Sequence, residues 1–288
     1  MKISFKNFLF DFSKKTYIMG ILNVTPDSFF DGGKYINLRK AVDRGLQLVE
    51  EGADIIDIGG ESTRPGAEPI SVDEELKRVI PVIENLSKKI NIPISIDTYK
   101  AKVAEEAIKA GATIINDISG LRFDPQMPYI AAKYDTPVVI MHIKGTPKNM
   151  QINPLYDALI PEIMEYLRNS IVIAKNAGVK ENRIIIDPGI GFGKKLEHNL
   201  LIIKKLKEFT SLGKPILIGV SRKSFIGKIL GDAPVEHRLE GTMAAVAVSV
   251  INGANIVRVH DVKEIIKVVK VVDAIKFGQI LTTSYQEL

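Results

Sequence analysis

The stretch Glu51-Gly52-Ala53-Asp54-Ile55-Ile56-Asp57-Ile58-Gly59-Gly60-Glu61-Ser62-Thr63 runs from a helix stop, through a short apolar run, into a polar turn. Glycine directly after a helical segment suits an αL cap. The run 54–58 is Ile-rich and too short for a helix. It reads as a strand covered on both faces, as in a parallel sheet. The polar groups that follow a buried strand must face water or a ligand.

The same order recurs outward in both directions. Helix stops of similar sequence stand at Ala110-Gly111-Ala112 and Asn252-Gly253-Ala254, and a strand follows each at once. Strand-like runs occur at 17–22, 54–58, 94–96, 113–118, 137–141, 183–186, 215–220 and 255–259. They end at Asn23, Gly59 to Thr63, Asp97, Asn116-Asp117, His142, Asp187-Pro188-Gly189, Ser221-Arg222-Lys223 and Arg258-Val259-His260. Helical periodicity fills the intervals. Leu38, Val42, Leu46 and Val49 share one face, and Ser71-Val72-Asp73-Glu74 is a capping box. This alternation predicts an α/β fold, a single (β/α)8 TIM barrel over 17–280, closed by right-handed crossovers. Residues 1–16 alternate apolar and polar about Asn7 and predict a short N-terminal β-hairpin capping the bottom of the barrel. The active site of such a barrel lies where the strands end.

Composition narrows the function. Hydrophobic residues make up 45% and charged residues 25%, as in a soluble globular protein. The net charge is +5, but the basic residues are scattered among acidic ones and form no run with interleaved aromatics. Nucleic acid is therefore not an expected partner. With no Cys, disulfides, thiolate metal sites and cysteine nucleophiles are excluded. No stretch has the ~18 apolar residues of a membrane span, so the expectation is a cytoplasmic protein without a membrane partner. The segment 241–251 is apolar nearly all round and must be covered on its outer side, by neighbouring helices or in a homodimer.

The strand-end residues carry the chemistry. Asn23 can offer its oxygen to a hard cation such as Mg2+. The following loop holds adjacent Phe29 and Phe30, which suit a lid over an apolar substrate. Ser62 and Thr63, beside Pro65-Gly66, can donate to phosphate oxygens. Asp97, Asn116 and Asp187 could each be an ordinary helix cap. Pointing into one mouth, they suit a flat, nitrogen-rich ring, because a carboxylate accepts two parallel N–H bonds. The Gly-rich 187–194 is not a Walker loop, since it lacks the Gly-Lys-Ser/Thr ending; it brings backbone near a ligand and presents Phe192. Ser221-Arg222-Lys223-Ser224 occupies the usual phosphate position of these barrels. Strand period places Arg258 and His260 on one side, both able to reach an anion. His142 could be structural or a ligand, and His198 and His237 read as surface residues.

Gly20-Ile21-Leu22-Asn23-Val24-Thr25-Pro26-Asp27-Ser28-Phe29, the segments 57–66, 95–98, 115–117 and 187–194, Ser221-Arg222-Lys223-Ser224 and Arg258-Val259-His260-Asp261 together resemble the dihydropteroate synthases, over about residues 17–275. The resemblance implies joining of 4-aminobenzoate to 6-hydroxymethyl-7,8-dihydropterin pyrophosphate, giving 7,8-dihydropteroate and pyrophosphate in folate synthesis. It implies that Asp97, Asn116, Asp187 and Lys223 hold the pterin. Thr63, Arg258 and His260, with Asn23 through Mg2+, would hold the pyrophosphate. Phe29, Pro65, Phe192 and Ser224, with Lys223 beside them, would border the aminobenzoate. Phe30 departs from the small residue common there. A neutral arylamine needs no strong base, so the expected route is a dissociative substitution with Asp97, Lys223, Arg258 and His260 as catalytic residues. Two alternatives are a related pterin-dependent methyltransferase, which would need no pyrophosphate clamp, and a non-catalytic pterin-binding barrel.

Overall fold

The computed structural model describes residues 1–25 and 34–278. Phe29, Phe30 and most of the lid expected over 24–34 lie outside them, as does the end of the barrel segment beyond 278.

The chain opens with an antiparallel hairpin, β1 (Lys2–Phe5) and β2 (Phe8–Asp11), in which Phe5 faces Phe8 across Lys6 and Asn7. The parallel strands follow: β3 (Tyr17–Asn23), β4 (Ile55–Gly59), β5 (Ile94–Asp97), β6 (Ile114–Asp117), β7 (Val138–Met141), β8 (Ile184–Asp187), β9 (Leu217–Ile218) and β10 (Ile256–Val259). They form one sheet in the order β8-β7-β6-β5-β4-β3-β10-β9. A single bridge, Ile186 to Ile216, brings the two edges together and completes the predicted barrel.

Around it lie α1 (Lys34–Glu50), α2 (Val72–Ser87), α3 (Ala101–Ala110), α4 (Met127–Lys133), α5 (Leu159–Asn176), α6 (Leu196–Lys204), α7 (Ser224–Ile229), α8 (Leu239–Ile251) and α9 (Val262–Phe277). The Ser71 hydroxyl accepts from the Glu74 amide at 3.2 Å, so α2 begins at its expected cap. Leu48 and Ala41, with Val42, form the buried face of α1, whereas Leu46 and Val49 pack at its margin. At the three similar helix stops, Gly52, Gly111 and Gly253 have φ of 102°, 125° and 113°. These lie beyond the αL value expected, in a region that disfavours side chains even more strongly.

The run 215–220 yields a strand of only two residues. Pro215 has no N–H, and the Ile216 amide donates at 2.9 Å to the side-chain oxygen of Asn255. Asn255 and Ile256 both donate their amides to the Ile216 carbonyl. The side chain of Asn255 thus replaces part of the ladder.

Strand alternation separates two apolar layers. Ile56, Ile58, Ile96, Ile115, Ile140, Ile186, Ile218 and Val257 pack outward with the helices. Met19, Ile55, Ile114, Val139, Ile185, Leu217 and Ile256 form a second cluster with Ile3, Phe5, Phe10 and Phe12 of the hairpin. The hairpin therefore seals the end of the barrel opposite the strand C-termini. The Phe10 and Tyr17 rings meet edge-on at 4.6 Å between centroids. The Asp273 carboxylate accepts from both the amide and hydroxyl of Thr16 at 2.7 Å, tying α9 to the start of β3.

Candidate active site

Two residues beyond that apolar layer, the same inward phase carries Asp57, Asn116, Asp187 and Arg258. Asp97 stands one step beyond buried Ser95, and Asn23 and His260 stand at or just past strand ends. The barrel interior thus changes from hydrocarbon to paired charge within one alternation of the strands.

Arg258 lies at the centre of this polar layer. Its Nε donates to Asp57 Oδ2 at 2.6 Å, and its Nη2 donates to Asp97 Oδ2 at 2.7 Å. Asn116 Nδ2 donates to the same Asp57 oxygen at 3.0 Å. Asp57 is fully buried, and its Oδ1 has no hydrogen-bond partner among the described residues. Burial pushes the Asp97 carboxyl up to about 7, opposed by Arg258 and reinforced by Asp57. Burial also works against the charge on Arg258, but Asp57 and Asp97 outweigh it and hold the guanidinium above its ordinary value. Arg258, expected to face an anion, therefore neutralises two carboxylates. A guanidinium has five N–H donors, so these bonds leave others for a third partner. Asp57 was not among the residues expected at the site. Its signal was its phase: it lies two residues before the strand end at Gly59.

Asp187 accepts from the Gly189 amide at 2.6 Å. Burial raises its carboxyl to about 6, against the Gly189 bond and the charges of Lys223, Lys194 and Arg258. Lys223 precedes α7 and lies over the Phe192 ring at 4.2 Å. Burial, then Arg258, lowers its ammonium to about 8, while Asp187 and Asp97 oppose the shift. These mutual effects place the acids and bases of β5, β8, β10 and the loop after β9 in one electrostatic unit. Gly189 permits the turn, since a Cβ there would collide with the His142 carbonyl oxygen.

His142 is buried just past β7, and its amide donates to the Asp187 carbonyl at 3.0 Å. Its Nδ1 lies 2.9 Å from Lys194 Nζ, which also donates to the Phe192 carbonyl at 3.0 Å. Burial drives both His142 and Lys194 well below their ordinary values. Of the residues read as surface histidines, His237 is exposed, but His198 is half-buried and stacks edge-on against Tyr156.

His260 Nδ1 lies 3.0 Å from the Ser221 hydroxyl, which accepts from the His260 amide at 3.2 Å. The hydroxyl has one O–H and two lone pairs, so it serves either tautomer of the ring, donating to Nδ1 or accepting from it. Burial, then Arg258 and Arg222, lowers His260 to about 3, so the ring is neutral, with one N–H donor and one acceptor nitrogen. Arg222 turns aside into a forked ion pair with Asp261.

Thr63 is half-buried in the turn after β4, and Asn23 is half-buried at the end of β3. Pro65 and Ser224 line one cleft of about 540 Å³, together with Lys194, Lys195 and Lys228. A second cleft, of about 870 Å³, lies against His142, Tyr156 and Tyr166, and none of the expected substrate contacts lines it. Among the described residues no three His, Cys, Asp or Glu side chains are grouped to hold a metal. Asn23 offers one neutral oxygen, a set that fits a cation held chiefly by a ligand's phosphate oxygens and by water.

Residues 19–260 match the family model described as pterin binding enzyme. The chain is 53% identical over 263 residues to the dihydropteroate synthase of Bacillus subtilis, covering 91% of this chain and 90% of that protein. It is similar to the crystal structure of a dihydropteroate synthase from Clostridium difficile in the presence of pteroic acid. That match has a TM-score of 0.88 and 50% identity, covering 92% of this chain and 98% of that chain. A dihydropteroate synthase from Xanthomonas albilineans with 4-aminobenzoic acid matches at a TM-score of 0.86 and 43% identity, covering 92% and 94%. The family match, these identities and the charged barrel mouth agree: the chain belongs to the pterin-binding enzyme family and, within it, to the dihydropteroate synthases.

Proposed function

We propose that this chain condenses 6-hydroxymethyl-7,8-dihydropterin pyrophosphate with 4-aminobenzoate to give 7,8-dihydropteroate and pyrophosphate in folate biosynthesis. The observation that carries this reading is Arg258, held between Asp57 and Asp97 at the mouth shared with Asp187 and Lys223. That mouth offers acceptors for a pterin and cationic donors for an anion.

The residues divide the work as follows. Ionised Asp187 accepts from the amino-pyrimidinone edge of the pterin, with Asn116 and Lys223 beside it and Asp97 on the ring. Thr63, Arg258 and neutral His260 donate to the pyrophosphate. Pro65, Phe192, Ser224 and Lys223 border the aminobenzoate; Phe29 is assigned there from its motif alone.

The methylene C–O bond breaks first, and its electron pair leaves on the pyrophosphate. Asp97 stabilises the positive charge shared between methylene and ring, and Arg258 stabilises the departing anion. The arylamine lone pair then forms the C–N bond, and the nitrogen loses one proton to water. No strong base is needed, because the amine is neutral and the protonated product nitrogen is acidic. Asn23 would hold Mg2+, which supplies charge neutralisation at the pyrophosphate when bound.

The test is Arg258→Ala, compared with the parent for two ligands. Binding of the pterin pyrophosphate should weaken far more than binding of the free pterin. Equal weakening would remove Arg258 from the pyrophosphate. Chelation of Mg2+ should weaken binding of the pyrophosphate substrate, with little effect on free pterin; unchanged affinity would remove the ion.

The same proposal includes a homodimer through α8. Val248 and Ile251 of α8 and Val271 and Ile275 of α9 are exposed, on two helices that pack together. Sedimentation should give twice the chain mass, and Val248→Asp with Ile251→Asp should give the monomer; a parental monomer would remove the dimer. No described helix is long and apolar enough to cross a membrane. The proposed setting is the cytoplasm, which cell fractionation tests.

A further inference from the structure

The turn that follows β4 carries Thr63 and Pro65, yet nothing in those two residues fixes where the turn lies. Its middle is held by one backbone bond, from the Gly66 amide to the Pro147 carbonyl at 3.0 Å, and its two ends are held by Glu61. The Glu61 side chain is almost fully buried, with 5% of its surface exposed. One carboxylate oxygen accepts from the Tyr99 hydroxyl at 2.5 Å. The other accepts from Lys100 Nζ at 2.5 Å and from the Ile70 amide at 3.0 Å. The carboxylate therefore ties the first residue of the turn to its last.

Lys100 is the second half of this anchor. Its ammonium also donates to the Ile70 carbonyl at 2.8 Å and to Glu75 Oε2 at 2.6 Å. Glu75 belongs to α2 and is 1% exposed, and its Oε1 has no hydrogen-bond partner among the described residues. One cation thus holds two buried carboxylates and both ends of the turn. A partly satisfied buried network of this kind is poor evidence for a stabilising role. Its position points elsewhere. Only Thr98 separates Asp97 from Tyr99 and Lys100, and the Thr98 amide donates to the Asn116 carbonyl at 3.1 Å. The same short segment that carries Asp97 therefore grips the turn that carries Thr63 and Pro65.

We propose that Glu61 and Lys100 are positioning residues, which set the arylamine and pyrophosphate side of the site, at Thr63 and Pro65, against the pterin side, at Asp97. This rests on the roles proposed above for Thr63, Pro65 and Asp97. Neither Glu61 nor Lys100 needs to touch a substrate. Their effect is geometric: small displacements of contact groups lower rates by large factors.

The test uses the full chain with Lys100→Met, Lys100→Arg, Glu61→Gln and Tyr99→Phe. Lys133→Met, which breaks an exposed pair with Glu105, serves as control. Three quantities are read: amide hydrogen exchange over residues 61–70, KM for 4-aminobenzoate, and the affinity for free 6-hydroxymethylpterin. Lys100→Met should speed exchange in that segment and raise the arylamine KM, each by about tenfold, while pterin affinity stays within about twofold. Lys100→Arg should recover most of both losses, and the control should change neither. If Lys100→Met does not fold, Tyr99→Phe and Glu61→Gln carry the test, with shifts of about threefold or more. Unchanged exchange over 61–70 in a folded variant would overturn the proposal, as would equal loss of pterin and arylamine binding. If the parent chain makes no dihydropteroate, the activity reading fails, while the exchange comparison still decides whether this network positions the turn.

Discussion

Asp57→Asn tests the electrostatics of the site with almost no change of shape. The side chain is fully buried and accepts from Arg258 Nε at 2.6 Å and Asn116 Nδ2 at 3.0 Å. The amide keeps one acceptor but removes the charge. Two consequences follow, and they move different observables. First, a charge-assisted hydrogen bond contributes about 1.5–3 kcal/mol. Losing about 2 kcal/mol of Arg258 alignment lowers kcat/KM for the pterin pyrophosphate by roughly 30-fold. Second, Asp97 loses a like-charged neighbour. Both carboxylates bind nitrogens of one guanidinium, so the two charges are close neighbours. At an effective dielectric near 20, like charges about 5 Å apart repel by about 3 kcal/mol as an upper bound. Asp97 must be ionised to stabilise the cation, and its carboxyl stands at about 7. The parent kcat/KM should therefore fall as pH drops through about 7. In Asp57→Asn this acidic limb should move down by about one unit or more. The assay is pyrophosphate release at subsaturating substrate across pH 5–9. A limb that stays in place, or moves up, would refute the assignment of Asp97 as the titrating group coupled to Asp57.

Further variants separate the remaining roles. His260→Leu should lower kcat/KM by about tenfold through one lost donor, without moving the acidic limb, because the His260 ring stays neutral above about 3 in the free protein; a shifted limb would show that His260 titrates. Asp117→Ala removes a buried carboxylate that accepts from the Ser119 amide and hydroxyl at 2.7 Å and the Leu121 amide at 3.0 Å. Chemical denaturation should show a loss of about 3 kcal/mol or more, and a loss under 1 kcal/mol would contradict that role. Phe10→Ala should cost about 3–5 kcal/mol by the same measurement if the hairpin truly seals the barrel floor, whereas a small effect would make the hairpin an appendage.

Much of the barrel was legible because buried strands are written as Ile-rich runs with polar ends. Asn116, Asp187 and Arg258 could be found from those ends alone. Asp57 was hidden for the opposite reason: it lies inside an apolar run, where only strand phase distinguishes an inward acid from an outward one. The Glu61–Lys100–Glu75 network was not legible, because its members come from separate elements and meet only after the barrel closes. Strand β9 was overestimated because the amide side chain of Asn255 competes for a backbone donor, a contact set by tertiary structure. The paired buried bases His142 and Lys194 give no local sign of their contact. Conversely, the stacking of Lys223 over Phe192 joins two motifs that sequence had placed at one mouth from their positions after β8 and β9.

Expulsion of pyrophosphate from a dihydropterin at the charged barrel mouth, with an arylamine taking its place, is the step proposed for this site. The most direct measurement is pyrophosphate release from 6-hydroxymethyl-7,8-dihydropterin pyrophosphate with Mg2+, in the presence and absence of 4-aminobenzoate. Rapid release matched one-for-one by 7,8-dihydropteroate is expected when the amine is present, and slow release without it. No release under either condition, despite tight binding of the pterin, would contradict this step.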